Sequence, residues 1–319
     1  MTENYRKETH NLGRRAAVRH LRMLLPLVLI PFLLVLSGTA ADGVRAGLSL
    51  CVQSVIPALF PFLVLSPMLV CSIQVMLGRL CGGRLNERRS ALLSAFVIGM
   101  TAGFPIGAVT LVSLCKQGVI AKADAERFLG VCTGASPAFL IGYFGRALWK
   151  SARLGLGLWC MQVLICLGGF LYLEKRSSEE QMQMAASTDI QMPHLSDCLR
   201  DAVFRMMGIC GAVVFFTVIR AYLCGWLPIG AAVTLGGIAE MTGGLRECAV
   251  LCENGSIGRT AALVISAGMI GFGGICVGMQ TADAALSEGI SMRRYRVQRL
   301  FLCMVMGALT FVFCSICEW

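Results

Sequence analysis

Residues 90–115 read SALLSAFVIGMTAGFPIGAVTLVSLC, and no Asp, Glu, Lys or Arg interrupts them. A helix needs roughly 20 apolar residues to cross the hydrocarbon core of a bilayer, so the stretch is long enough to span one. It is nevertheless broken in its middle, at Gly103-Phe104-Pro105-Ile106-Gly107. Pro105 lacks an N–H and clashes with the preceding turn, while the glycines permit backbone angles closed to other residues. A break at this depth leaves free N–H groups on one side and free C=O groups on the other. Such backbone is tolerated in a membrane only where protein or water covers it. The mixed charges of Lys116 to Arg127 assign that connector to neither side, so Ser90 to Cys115 either crosses or returns as a hairpin.

The same absence of charge recurs along the chain. It covers Met23 to Ala41, Ala46 to Gly78, Phe128 to Gly145, Leu154 to Leu173, Thr260 to Ala282 and Leu300 to Cys317. One such stretch can be a core helix, but seven cannot. The composition agrees: 56% of residues are hydrophobic, 14% are charged and the mean hydropathy is +0.73, against about 25% charged in soluble domains. The expected fold is an all-α polytopic membrane protein of roughly 7–9 hydrophobic segments. The long run Ala46 to Gly78, with Pro57, Pro61 and Pro67, reads as a re-entrant or interfacial piece followed by a full span.

A net charge of +10 invites a nucleic-acid partner, but the cations sit in short connectors: Arg79, Arg84, Arg88 and Arg89, then Arg293, Arg294, Arg296 and Arg299. That is the positive-inside bias, and no nucleic acid is expected. Arg6 to Arg22 precede the first span and predict a cytoplasmic N-terminus. The signal-peptide-like Ser37-Gly38-Thr39-Ala40-Ala41 is read as the end of an uncleaved first helix, because many spans follow. Sixteen cysteines are scattered through apolar runs beside three histidines, which predicts no metal and no cofactor. No G-x-x-x-x-G-K-[ST] is present, Gly271-Phe-Gly-Gly lies within a span, and no enzyme activity is expected.

The hydrophilic segment 174–196 divides the chain into a basic N-terminus (1–22), a first membrane half (23–173) and a second (197–319). The halves look repeat-like. Gly99-Met100 and Gly103-Phe104 answer Gly268-Met269 and Gly271-Phe272 about 170 residues on, although Pro105-Ile106-Gly107-Ala108 also matches Pro228-Ile229-Gly230-Ala231 in another register. Broken segments at matching positions of two halves point to a midplane site. The candidate residues are therefore Gly103, Pro105 and Gly107, then Thr133, Ser136 and Pro137, then Gly271, Gly273 and Gly274. A single break is more often a kink or close packing through small residues, and it is the recurrence that favours a site. Glu240 is the one carboxylate in the run from Ala221 to Leu245, where it costs on the order of 3 kcal/mol. It either faces a cavity, carrying a proton or a coupling cation, or lies near the interface. Thr242, Gln280 and Thr281 offer polar groups to a substrate or to a neighbouring helix. Arg220, at the end of its span, is expected to snorkel to the headgroups.

At these motifs the chain resembles the sporulation integral membrane protein YlbJ (SpoVV-like) family. The likeness is carried by Gly103-Phe-Pro-Ile-Gly-Ala, Gly118-Val-Ile-Ala-Lys-Ala-Asp-Ala-Glu-Arg-Phe-Leu, Cys132-Thr-Gly-Ala-Ser-Pro-Ala-Phe-Leu-Ile-Gly, Gly237-Ile-Ala-Glu240-Met-Thr-Gly243 and Gly271-Phe-Gly-Gly-Ile-Cys-Val-Gly-Met-Gln280. Thr133-Gly134 stands where that family usually has paired asparagines. The resemblance implies a nucleoside-recognition (gate) domain with re-entrant hairpins and broken helices. It also implies export of dipicolinic acid from the mother cell across the outer forespore membrane. The expected function is thus a sporulation-associated permease for a small anionic metabolite. The alternatives are a non-transporting scaffold in spore assembly and a nucleoside or nucleobase permease. The expected partners are the bilayer and that metabolite, with room for a coupling ion and for a homo-oligomer.

Overall fold

A computed structural model describes residues 37–80, 87–176 and 192–317, together with Leu27, Ile30 and Pro31. The basic N-terminus, most of the expected first span and most of the hydrophilic linker lie outside these residues. The described part is all helical. Helix α1 (Ser37–Leu50) passes through a π-helical turn (Cys51–Val55) into α2 (Ile56–Leu80), with a 48° bend between the two apolar arms. Asp42 and Arg45, expected to follow the first span, lie inside α1 as an exposed ion pair one turn apart.

Next come α3 (Glu87–Ala102), α4 (Ile106–Lys116), α5 (Lys122–Phe128), the π-helical α6 (Ala138–Leu148) and α7 (Ala152–Lys175). The second half holds α8 (Leu195–Trp226), α9 (Ile229–Ala239), α10 (Met241–Glu253), α11 (Arg259–Phe272), α12 (Gly274–Leu286) and α13 (Arg293–Cys317). Among the described residues four units are long and apolar enough to cross a membrane: α7, α8, α11 with α12, and α13. The bent α1–α2 pair raises the number to five. Most of the expected first span lies outside the described residues, and of the other apolar segments α3, α4, α6 and α9 are each too short to cross alone.

Two pairs of these short helices fold back on themselves. In α3 and α4, Gly99 and Gly107 lie face to face: a Cβ on Gly107 would come within 2.8 Å of the Gly99 Cα. The tip between them is Gly103, at φ +86°, followed by a cis Phe104–Pro105 bond. Ser90 to Cys115 is therefore a hairpin. In α9 and α10, Gly237 and Gly244 meet in the same way, 2.3 Å from a would-be Cβ to the facing Cα, and Glu240 is the tip. Only glycine admits such contact between helix backbones.

Two further helices are interrupted without folding back. The chain leaves α5, runs irregularly from residue 129 to 137 and resumes as α6. Helices α11 and α12 remain one near-continuous span with a bend at Gly273, φ +85°. The first half places a hairpin and a broken helix before α7, and the second places a hairpin and a bent span before α13. Like parts lie about 138 residues apart, as Gly99 and Gly107 do from Gly237 and Gly244. The offset of about 170 suggested by the glycine motifs pairs unlike parts, because Gly103 is a hairpin tip and Gly273 a bend. Short Gly-Phe and Gly-Met words recur wherever helices pack closely, so they align without structural equivalence.

Packing crosses between the halves. Helix α4 lies against α12, and α10 against α6. The turn after α4 meets the turn after α12 through Lys116 Nζ to Glu288 at 3.1 Å. Glu126 accepts from the Ser291 N–H at 2.8 Å. Arg88 forks onto the fully buried Asp124, with Nε 2.8 Å from a carboxylate oxygen, and so pins α3 to α5. That carboxylate raises the pKa of Arg88 above its ordinary value.

Candidate functional site

The two tips and the two breaks meet. A Cβ on Gly103 would lie 2.8 Å from the Ser136 side chain, so the first tip rests on the first break. A Cβ on Gly273 would lie 3.4 Å from the Phe104 ring, and one on Gly274 would lie 3.3 Å from the Met241 nitrogen. The second break therefore touches both tips. A cavity of about 60 Å³ opens at this junction, room for a few water molecules. Its polar lining includes Ser54, Ser136, Glu240, Thr242 and Gln280, and Phe104 and Phe139 supply aromatic wall.

Glu240 is buried, 3% exposed, and stands at the N-cap of α10. Its oxygens accept from Thr242 N at 2.8 Å and Gly243 N at 2.6 Å. The first N–H groups of a helix carry partial positive charge, and a carboxylate there is favoured. The anion that the helix end attracts is thus the protein's own. The Ser136 hydroxyl, just before α6, accepts from Phe139 N at 3.2 Å. The Thr133 hydroxyl donates to Leu129 O, within its own segment. Thr242 O accepts from the Tyr143 hydroxyl at 3.3 Å, which ties the second hairpin to α6. Gln280 Nε2 meets Cys276 Sγ at 3.4 Å along α12.

The sequence candidates therefore separate. Ser136, Glu240, Thr242 and Gln280 line the cavity, and Gly103, Pro105, Thr133, Pro137, Gly273 and Gly274 shape the backbone around it. Gly107 and Gly271 are packing positions. A Cβ on Gly107 would strike Cys132 O at 1.8 Å, and one on Gly271 would strike the α13 backbone at 2.7 Å. Arg220 does not snorkel: from α8 it pairs with Glu247 of α10, packed over Gly236 of α9 and Gly243 of α10.

The residue that sequence reasoning missed is Arg299, the largest fully buried side chain. Its Nε donates to Phe272 O at 3.1 Å, Nη2 to Ile270 O at 3.1 Å and Nη1 to Thr133 O at 2.8 Å. Its guanidinium also stacks on Phe104, 4.9 Å from the ring centroid. One side chain holds both breaks and the first tip. It has no carboxylate partner among the described residues. The free carbonyls at the α11 C-terminus, the negative end of that helix, stand in for one. In the first half Gln162 does the neutral version of this work. Its amide accepts from Ala135 N and donates to Ala135 O, both at 3.0 Å. A signal for Arg299 exists in the sequence. Tyr295, Arg299, Leu302, Met306, Thr310 and Cys314 fall on one helical stripe, and all six are buried. Among the described residues no group of His, Cys, Asp and Glu could hold a metal ion.

No protein-family model and no solved structure matches the chain. A curated relative does: the sporulation integral membrane protein YlbJ of Bacillus subtilis (strain 168) is 26% identical over 184 residues. The match covers 54% of this chain and 45% of the relative, so the chain spans less than half of the length of the protein it matches.

Proposed function

We propose that this chain is a sporulation-associated permease for a small anionic metabolite. From the family that its motifs resemble we take that metabolite to be dipicolinic acid, moved from the mother cell towards the forespore. The observation that carries the reading is the convergence of two hairpin tips and two helix breaks on one small, mainly apolar cavity bordered by Glu240, Thr242 and Gln280. Broken helices around a midplane cavity are the usual build of a secondary transporter. Lipid alone would not cover such backbone.

The two half-chains, read as repeats in the 138-residue register, suit a gate-type domain in which each half supplies one hairpin and one broken span. A cavity of about 60 Å³ is smaller than an aromatic dicarboxylate, so the walls must part for the substrate to enter and leave. Arg299, held by three backbone carbonyls behind Phe104, adds a positive charge close to the cavity wall, which favours an anionic cargo. Glu240 lines the same cavity, so a proton or a cation accompanies the anion and offsets the like charge. In this reading the protein is no enzyme, it sits in the outer forespore membrane with its N-terminus in the cytoplasm, and it is free to form homo-oligomers.

A nucleoside or nucleobase permease is the second reading. It is favoured by Glu240 beside Phe104 and Phe139, a carboxylate and aromatic faces suited to a neutral heterocycle with N–H donors. Spores from a strain lacking this chain decide between the two. Spore dipicolinate should fall sharply, and an unchanged content would overturn the first reading.

A further inference from the structure

A second cavity, about 440 Å³, lies between α2, α4, α8 and α12. It shares Ile209 and Gln280 with the inner cavity, so the two are neighbours across that partition. Successive turns of two packed helices line first one and then the other. On α8 the order is Arg205, Ile209, Val213; on α12 it is Asp283, Gln280, Cys276. Pro105, at the first hairpin tip, also belongs to the outer wall. This is the layout of a path.

Arg205 and Asp283 are the charged side chains on its wall, and both are exposed. Neither has an ion-pair partner among the described residues. A charged side chain along a span that faces a cavity is a functional candidate by its cost alone. Guanidinium matches carboxylate with two parallel N–H···O bonds, which a point charge cannot do.

We propose that this vestibule is an outer binding site for a small carboxylate, held by Arg205 and passed inward past Ile209 and Gln280. The proposal rests on the reading of the inner cavity as a carboxylate site. Asp283, lining the same space, keeps the vestibule near neutral, so an anion is recruited but not trapped there.

Met279 lines the vestibule and is 46% exposed, so a cysteine there reports its field. Purified full-length Met279→Cys protein is labelled with an anionic and a cationic methanethiosulfonate of similar size. The reacted peptide is read by mass spectrometry, so native cysteines do not interfere. Adding Arg205→Gln should lower the anionic-to-cationic rate ratio about threefold, and Asp283→Asn should raise it by a similar factor. Dipicolinate should protect the cysteine when Arg205 is present. Arg205→Lys should keep the ratio but lose most of the protection, because an ammonium lacks the fork; it also serves if the glutamine variant does not fold. A ratio indifferent to Arg205 overturns the proposal. A ratio that responds, in a protein whose wild-type vesicles take up no dipicolinate, supports the vestibule and overturns only the substrate named above.

Discussion

Replacing Arg299 by methionine keeps the length and removes the charge. It leaves three buried carbonyls, on Thr133, Ile270 and Phe272, without the donors now 2.8–3.1 Å away. An unsatisfied buried acceptor costs about 1–3 kcal/mol, so three cost on the order of 3–9 kcal/mol. Part of this is returned, because the guanidinium no longer has to be desolvated. A net loss of about 3–5 kcal/mol is expected, on the order of 5–10 °C in melting temperature. Cys132, Cys166 and Cys248 are buried and free, so once the exposed Cys160 and Cys224 are blocked a thiol-reactive fluorophore reports unfolding of the detergent-purified protein. Cys132, beside Thr133, should label first. Arg299→Lys should recover part of the loss, since its ammonium has donors but no fork. Gln162→Leu should cost less than Arg299→Met, because it removes two neutral bonds at Ala135. A methionine variant that melts within a degree of wild type would refute the bridging role of the guanidinium.

Gly99→Ala and Gly107→Ala place a Cβ 1.7 and 1.8 Å from Cys132 O. Both should abolish recovery of monodisperse protein on size exclusion, while Gly142→Ala, with open space around it, should behave as wild type. Asp124→Ala removes the buried carboxylate that pins α3 to α5 and should destabilise by about 1–3 kcal/mol in the same melting assay. Glu240→Gln keeps one acceptor for the α10 N-terminus, so stability should fall by only about 0.5–2 kcal/mol. Uptake by reconstituted vesicles should nevertheless drop at least tenfold; unaltered uptake would remove the role given to that carboxylate.

The membrane architecture was legible because charge spacing reports it directly: an uncharged stretch such as Leu154 to Leu173 has little else to be. The hairpins were half legible. Gly103 and Pro105 predict a break, but whether the chain turns back depends on Gly99 facing Gly107, a contact between helices that no local word encodes. Glu240 was visible as an isolated carboxylate, yet its partners are the backbone N–H groups of its own next turn, which only the break exposes. Arg299 was hidden among Arg293, Arg294 and Arg296, which do lie outside the apolar run. Its helical phase separates it from them, and phase is weak evidence at the end of a span. The repeat register failed because identity between short glycine words is decided by packing needs shared across the whole bundle.

The site is tested most directly by loading proteoliposomes that contain only this protein and following labelled dipicolinate. Saturable, protein-dependent movement is expected, lost in Glu240→Gln and competed by unlabelled dicarboxylate more strongly than by its diamide. Movement no faster than in protein-free vesicles, from a preparation whose melting shows it folded, would mean that the junction of tips and breaks is not a dicarboxylate site.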